Sequence, residues 1–139
     1  MAALTQTAAN VVSSSRATLN RSANAGATIA AGQPVYLDSN GLWQLVTPAV
    51  SAITGALVGL AAHSAVLNQP LAVATADPAF THGLTGVTAG DTIWTHPTAG
   101  TFTKTIADIV AGTFTTVAGV AISATQMVVA PVNSGVAHA

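Results

Sequence analysis

Gln33-Pro34-Val35-Tyr36-Leu37-Asp38-Ser39-Asn40-Gly41-Leu42-Trp43-Gln44-Leu45-Val46-Thr47 is the stretch that decides the fold. Both of its arms are short and rich in β-branched, aromatic and aliphatic residues, which suit a pleated, half-buried surface. Between them, Ser39-Asn40-Gly41 supplies a turn in which Asn and Gly tolerate positive φ. An extended run, a reversal and a returning extended run make a β-hairpin. Pro34 cannot donate to a ladder, so it belongs at a strand start or on an edge, and the same holds for Pro70.

Outward from this hairpin, the chain keeps the same punctuation from Thr28 onward: short apolar runs separated by Gly, Pro, Asn and Asp. Ala56 to His63, Leu71 to Ala76, Thr92 to His96, Thr101 to Thr105, Thr113 to Ser123 and Gln126 to Val132 are the further predicted strands, and their excess of Thr, Val and Ile favours strand over helix. The predicted fold class is all-β. Ala31-Gly32-Gln33-Pro34-Val35-Tyr36 is echoed by Ala89-Gly90-Asp91-Thr92-Ile93-Trp94. Each copy is followed by a turn, Ser39-Asn40-Gly41 or Pro97-Thr98-Ala99-Gly100, and then by a strand carrying Trp43 or Phe102. Val58-Gly59-Leu60-Ala61 is likewise echoed by Ala118-Gly119-Val120-Ala121. The offset stays near about sixty residues, which predicts two related, hairpin-containing halves closing one small β-barrel or β-sandwich. A third near-copy, Asn68-Gln69-Pro70-Leu71-Ala72-Val73, predicts that one strand-start geometry is reused. The glycines ahead of the paired strands are expected at bulges or tight corners.

Residues 1–27 read differently. Ser, Ala, Asn and Thr dominate, apolar residues are few and small, and both arginines of the protein, Arg16 and Arg21, lie here. Leu4, Val11, Val12 and Leu19 fall near helical spacing but offer little mass to bury. The segment is expected to be an extended, flexible N-terminal arm, either a frayed end or a docking arm, ahead of a β-rich domain over 28–139. Arg16 and Arg21 are the candidate partner-binding residues.

Composition narrows the function classes. A chain of 139 residues is long enough for one core and short for two domains. It has no cysteine, which removes disulfides and thiolate metal sites. Only 5% of its residues are charged, against roughly 25% in average soluble domains. With a net charge of −1 there is no basic field for nucleic acid or for an anionic membrane. A surface this neutral repels its own copies weakly and loses little ion hydration on contact, which suits a component of an assembly. A mean hydropathy of +0.59 invites a membrane reading. The uncharged window Ala49 to Leu67 is, however, rich in Ala, Gly, Ser and Thr, contains His63 and lacks flanking Lys or Arg, so no membrane span is expected. The start MAALTQTAANVV has neither a basic n-region nor a continuous apolar h-region, so synthesis in the cytoplasm without a secretory signal is expected.

His63, His82, His96 and His138 are the candidates for acid-base or metal chemistry, and the sequence contains no Glu to serve beside them. No pair has the i, i+4 spacing of zincins, so they read as surface or structural histidines. Asp38, Asp77, Asp91 and Asp108 all stand in turn-like surroundings, where Asp bonds nearby amides. A paired-carboxylate hydrolase would need two of them to converge. There is no Gly-x-Ser-x-Gly elbow and no phosphate-cradling loop, so no catalytic residue, cofactor or metal is expected. The six aromatics, Tyr36, Trp43, Phe80, Trp94, Phe102 and Phe114, read as core rather than as a stacking platform.

The segment Ala25 to Gly41, AGATIAAGQPVYLDSNG, resembles the opening of small decoration (capsid cement) proteins of tailed-phage heads, whose β-domains often begin with an IxAGxxVYLDxxG pattern. The likeness continues through Val58 to Ala61, Asn68 to Val73, Leu84 to Trp94 and Val117 to Ala121, and leaves the arm outside. The resemblance implies a β-barrel or β-sandwich subunit, forming a homotrimer, on the outer capsid surface where capsomers meet. Its partner would be the major capsid protein, with no nucleic acid or membrane involved. Several modest contacts per trimer would bridge neighbouring capsomers, each later contact being made at high effective concentration, and so stabilise the mature shell. A receptor- or glycan-binding module of a virion fibre is the alternative the same fold allows.

Overall fold

In the computed structural model, which describes residues 3–48, 56–109, 111–114 and 116–133, nine strands form one antiparallel sheet. They are β1 (Thr18–Asn20), β2 (Pro34–Leu37), β3 (Trp43–Leu45), β4 (Gly59–Ala61), β5 (Val73–Thr81), β6 (Thr92–Thr95), β7 (Phe102–Thr103), β8 (Val117–Ala121) and β9 (Gln126–Val132). The strand order is β3-β2-β4-β5-β9-β8-β6-β7, and the sheet curls into a half-barrel. No described residue is in an α-helix. Ala49 to Gly55 of the hydropathic window and His138 lie outside the described residues.

The deciding hairpin forms as β2 and β3, with Tyr36 opposite Gln44 and Leu37 opposite Trp43. Its turn is held by Asp38, whose Oδ1 accepts the N–H groups of Asn40 and Leu42 at 2.9 Å each, while Gly41 takes φ +76°. Pro34 is the first residue of β2, and Pro70 makes an isolated bridge with Asn24 ahead of β5.

The sequence echo is an echo of register. Pro34 pairs with Leu60 and Val35 with Gly59; Thr92 pairs with Val120 and Ile93 with Gly119. Leu60 then pairs with Ala74 and Ala61 with Val73, as Val120 does with Val128 and Ala121 with Met127. The four strands β2, β3, β4 and β5 thus correspond to β6, β7, β8 and β9. The loops ahead of β2 and β6 repeat as well. The Gly32 N–H donates to the Ala61 carbonyl and the Ala61 N–H to that of Gln33, just as Gly90 donates to Ala121 and Ala121 to Asp91. Gln33 Oε1 accepts the Ala30 N–H at 2.8 Å, and Asp91 Oδ2 accepts that of Thr88 at 2.9 Å. The third near-copy builds the same turn: Asn68 stands at φ +68°, as Gly32 and Gly90 stand at +86° and +92°, and Gln69 Oε1 accepts the Val66 N–H at 3.0 Å. One device, a left-handed residue followed by a side-chain acceptor for the amide three residues back, opens three extended segments.

Two glycines explain why the echo includes Val-Gly-Leu-Ala and Ala-Gly-Val-Ala. A Cβ on Gly59 would overlap the Ala74 carbonyl oxygen of β5, and one on Gly119 the Val128 carbonyl oxygen of β9. The register also shifts beside Gly119, between Val117 and Gly119, inside β8 rather than ahead of it.

β5 serves both halves. Its Ala74 pairs with Leu60 on β4 and its Phe80 with Met127 on β9. It continues past Ala76, where the sequence reading ended the strand, because the register shift between Asp77 and Phe80 accommodates Pro78 without a ladder N–H. Asp77 is therefore in a strand and buried, at 1% exposure, rather than in an exposed turn. The segment read as an arm lies along the remaining side of β5. Asn20 pairs with Val73, Leu19 with Ala74 and Val12 with Thr81, and the Ser14 N–H donates to Asp77 Oδ2 at 2.8 Å.

Two clusters make up the core. One is the concave interior, where Leu60, Ala74 and Val46 of the first half meet Phe80, Ile93, Phe102, Ala118, Ala121, Met127 and Val129. The other lies on the opposite face of the first half, where Val35, Trp43, Ala61 and Val73 are covered by Ala25, Ile29, Ala65 and Leu71. Among the described residues the first half is thus buried on both faces, as is β7 of the second half, whereas Val120 of β8 and Val132 of β9 remain exposed.

Candidate functional site

Chemistry-bearing side chains must be accounted for one at a time, because they are few. Three histidines are described, and each is engaged with the backbone. His82 Nδ1 accepts the Leu84 N–H at 2.9 Å and His96 Nδ1 accepts that of Thr98 at 3.0 Å, so both rings hold the turn two residues ahead. His63 bridges its own loop, with Nε2 accepting the Ala72 N–H at 3.1 Å and Nδ1 3.0 Å from the Ser64 carbonyl. A neutral imidazole suits all three roles, since each needs a ring nitrogen as acceptor.

His82 is fully buried, and burial pushes its pKa below the ordinary histidine value, with the Ser123 backbone opposing only in part. The sign follows from linkage. As pH falls below about 6.5, the unfolded chain takes up a proton at this position before the folded chain does, so stability present at neutral pH is lost toward acid. The thermal midpoint should therefore drop between pH 7.5 and 5.5, and His82→Gln should flatten that part of the profile. An unchanged slope in the variant would contradict the assignment.

The carboxylates are likewise committed to local structure. Asp38 is held below its usual range by the Leu42 amide first and by the Gln44 side chain next, and Asp91 by the Thr88 amide first and then by Lys104, 3.7 Å away. Asp108, placed by the sequence in a turn, is buried in a single 3-10 turn at Ile106–Asp108 and accepts the Thr103 hydroxyl at 2.6 Å. Asp77 gathers the Ser14 hydroxyl and the N–H groups of Ser14 and Ala79. Among the described residues no three His or Asp side chains form a group that could hold a metal ion, and no helix is long and apolar enough to cross a membrane.

The candidate partner-binding residues Arg16 and Arg21 are both exposed and flank β1, one before it and one after. Arg16 lies within a turn closed by the Ala17 N–H and the Ser14 carbonyl, and Arg21 borders a shallow cleft with His63, Pro70 and Leu71. Among the described residues neither arginine is paired with a carboxylate. Two exposed guanidiniums therefore lie at either end of β1 in a protein with few charges. The arrangement can pair with acidic groups on a partner and positions nothing for bond-making chemistry.

Three aromatics, Trp43, Phe80 and Phe102, are buried, while Tyr36, Trp94 and Phe114 are half-buried. The sequence reading placed all six in the core; Trp94 instead shares the outward side of its strand with Thr92. The period-two pleat fixes this, because the inward position between them belongs to Ile93. The chain matches no family model, no curated protein and no solved structure.

Proposed function

We propose that the protein is a structural component of a virion, a decoration protein that binds the outer surface of a tailed-phage capsid and bridges neighbouring capsomers without catalysing a reaction. The observation that carries this reading is the AGATIAAGQPVYLDSNG stretch, whose likeness to phage head decoration proteins falls on the residues that build the capped turn and the first hairpin. Supporting it, the ionisable side chains are few and most are spent on local turns, which leaves broad neutral sheet surface for contact with other proteins. In this reading the partner is the major capsid protein, the working unit is a homotrimer, and Arg16 and Arg21 pair with acidic groups on the shell. The protein is made in the host cytoplasm and ends on the outside of the particle.

Capsids lacking the protein provide the test. They should bind it to saturation and then withstand heat to a higher temperature, with a joint Arg16→Ala and Arg21→Ala variant binding more weakly and more so at high salt. Saturable binding with no gain in particle stability would sink the bridging mechanism. The alternative, a glycan-binding module of a virion fibre, draws on the half-exposed Trp94 ring. It requires retention on a glycan array that Trp94→Ala abolishes.

A further inference from the structure

We propose that Asn40 is a modification site, where the folded hairpin turn deamidates to aspartate and isoaspartate with water as the only co-reactant. Of the six asparagines in the chain, Asn40 is the one followed by glycine. Both residues are exposed at the tip between β2 and β3, and the Asn40 side chain makes no hydrogen bond to any described residue. Gly41 has no side chain to obstruct ring closure, and the space where a Cβ would stand is empty within 4 Å.

The Gly41 main-chain nitrogen attacks Cγ of Asn40. An N–Cγ bond forms, the Cγ–Nδ2 bond breaks, and the proton of the attacking nitrogen departs with the side-chain amide as ammonia. The succinimide ring that remains is opened by water at either carbonyl. Opening at Cγ gives aspartate, and opening at the main-chain carbonyl gives isoaspartate, in which the chain runs through the former side chain. No electrons change hands. A neutral amide is replaced by one carboxylate, so the net charge goes from −1 to −2.

The reacting groups are neighbours in the chain, so the rate depends on how often they reach the attacking geometry. The turn resists this. Gly41 N–H donates to the Asp38 carbonyl at 3.1 Å, and Asp38 Oδ1 accepts the N–H groups of Asn40 and Leu42 at 2.9 Å each. Asp38 is therefore the brake on the reaction, and local opening of an exposed loop tip, which leaves the rest of the sheet folded, releases it.

Other asparagines show what stronger restraint looks like. Asn133 also precedes a small residue, Ser134, but its Oδ1 accepts the Leu57 N–H and its Nδ2 donates to the Leu57 carbonyl, both at 2.8 Å. Asn20 Oδ1 accepts the Ser22 N–H at 2.9 Å and the Ser22 hydroxyl at 2.7 Å. A side chain tied in this way is not free to swing its carbonyl carbon toward the next amide.

The full chain, kept folded at mildly alkaline pH and sampled by ion exchange and peptide mass mapping, provides the test. An acidic form should accumulate, its new carboxylate at Asn40, with part of it accepting methyl groups from an isoaspartyl methyltransferase. Conversion should quicken as pH rises, because the attacking nitrogen must lose its proton. Asn40→Gln, a change at an exposed side chain without a partner, should abolish the acidic form and leave the fold intact. Asp38→Ala should speed conversion at Asn40 about fivefold, what one hydrogen bond of ordinary net strength is worth, while Asn133 stays unconverted. Faster conversion at both asparagines would mean general unfolding and would overturn the assignment of Asp38, as would an unchanged rate at Asn40. The proposal itself fails if folded protein keeps Asn40 intact while the urea-unfolded chain converts, or if Asn133 in the folded protein converts as fast as Asn40.

Discussion

Gly119→Ala should lower the unfolding free energy by about 3 kcal/mol, the upper end of what forcing an extra carbon into a packed interior costs. The reason is specific to the strand that faces it. The added methyl would overlap a backbone carbonyl oxygen, that of Val128, which cannot rotate away as a flexible side chain would. Relief requires β8 to move from β9, and Val120 opposite Val128 and Ala121 opposite Met127 would move with it. The matching change at Gly59, against the Ala74 carbonyl, should cost a similar amount. Gly90→Ala is the control: its φ is +92°, but a Cβ there meets nothing within 4 Å, so only backbone strain of roughly 1–2 kcal/mol is expected. Urea titrations of the three variants give the comparison directly. Equal losses at Gly119 and Gly90 would mean that close approach of the strands is not what demands glycine there.

Those two glycines also show which parts of the fold are legible in the sequence. The echo between Val58 to Ala61 and Ala118 to Ala121 is readable because a steric demand repeats, and only glycine meets it. Gly32 and Gly90 are readable for a related reason, the left-handed backbone, and Asn68 takes their place because its short polar side chain tolerates that region. β9 coincides with its expected span, with Pro131 accommodated where the register against β8 shifts between the Val129 and Val132 pairs. β1 was not legible: Thr18-Leu19-Asn20 has no pattern of its own, and its extended form is imposed by the side of β5 that β4 leaves unpaired. Asp77 was misplaced because Ala-Asp-Pro reads as a turn, whereas the bulge beside Pro78 lets a strand continue and three donors converge on one buried carboxylate. Of the candidate site, the exposure of Arg16 and Arg21 follows from their setting among small polar residues. The exposure of Val120 was hidden for a different reason. Val120 and Leu60 are interchangeable in the echo, and which of them is covered depends on the second half packing onto the first.

Trp43→Ala should cost about 3–5 kcal/mol, the range for deleting a large buried aromatic, while Trp94→Ala should cost the isolated chain far less. Trp43 is the one aromatic ring in a small cluster whose other members are Ala25, Ile29, Val35, Ala61, Ala65, Leu71 and Val73. Removing it leaves a cavity lined by side chains too short to collapse into it. The damage should concentrate where that cluster ties residues 24–29 to the sheet. There Trp43 N–H donates to the Asn24 carbonyl at 2.9 Å and Gly26 N–H to the Trp43 carbonyl at 2.8 Å, so amide exchange at Trp43 and Gly26 should accelerate before exchange in β8 and β9 does. Trp43→Phe should retain most of the stability, because the buried indole Nε1 has no acceptor and its loss forfeits no hydrogen bond. Trp94 occupies the corresponding strand pair but points outward and is only half-buried, so its removal should hardly register in unfolding. If the two alanine variants instead lose equal stability, Trp94 is held in the core rather than on the outward side of β6.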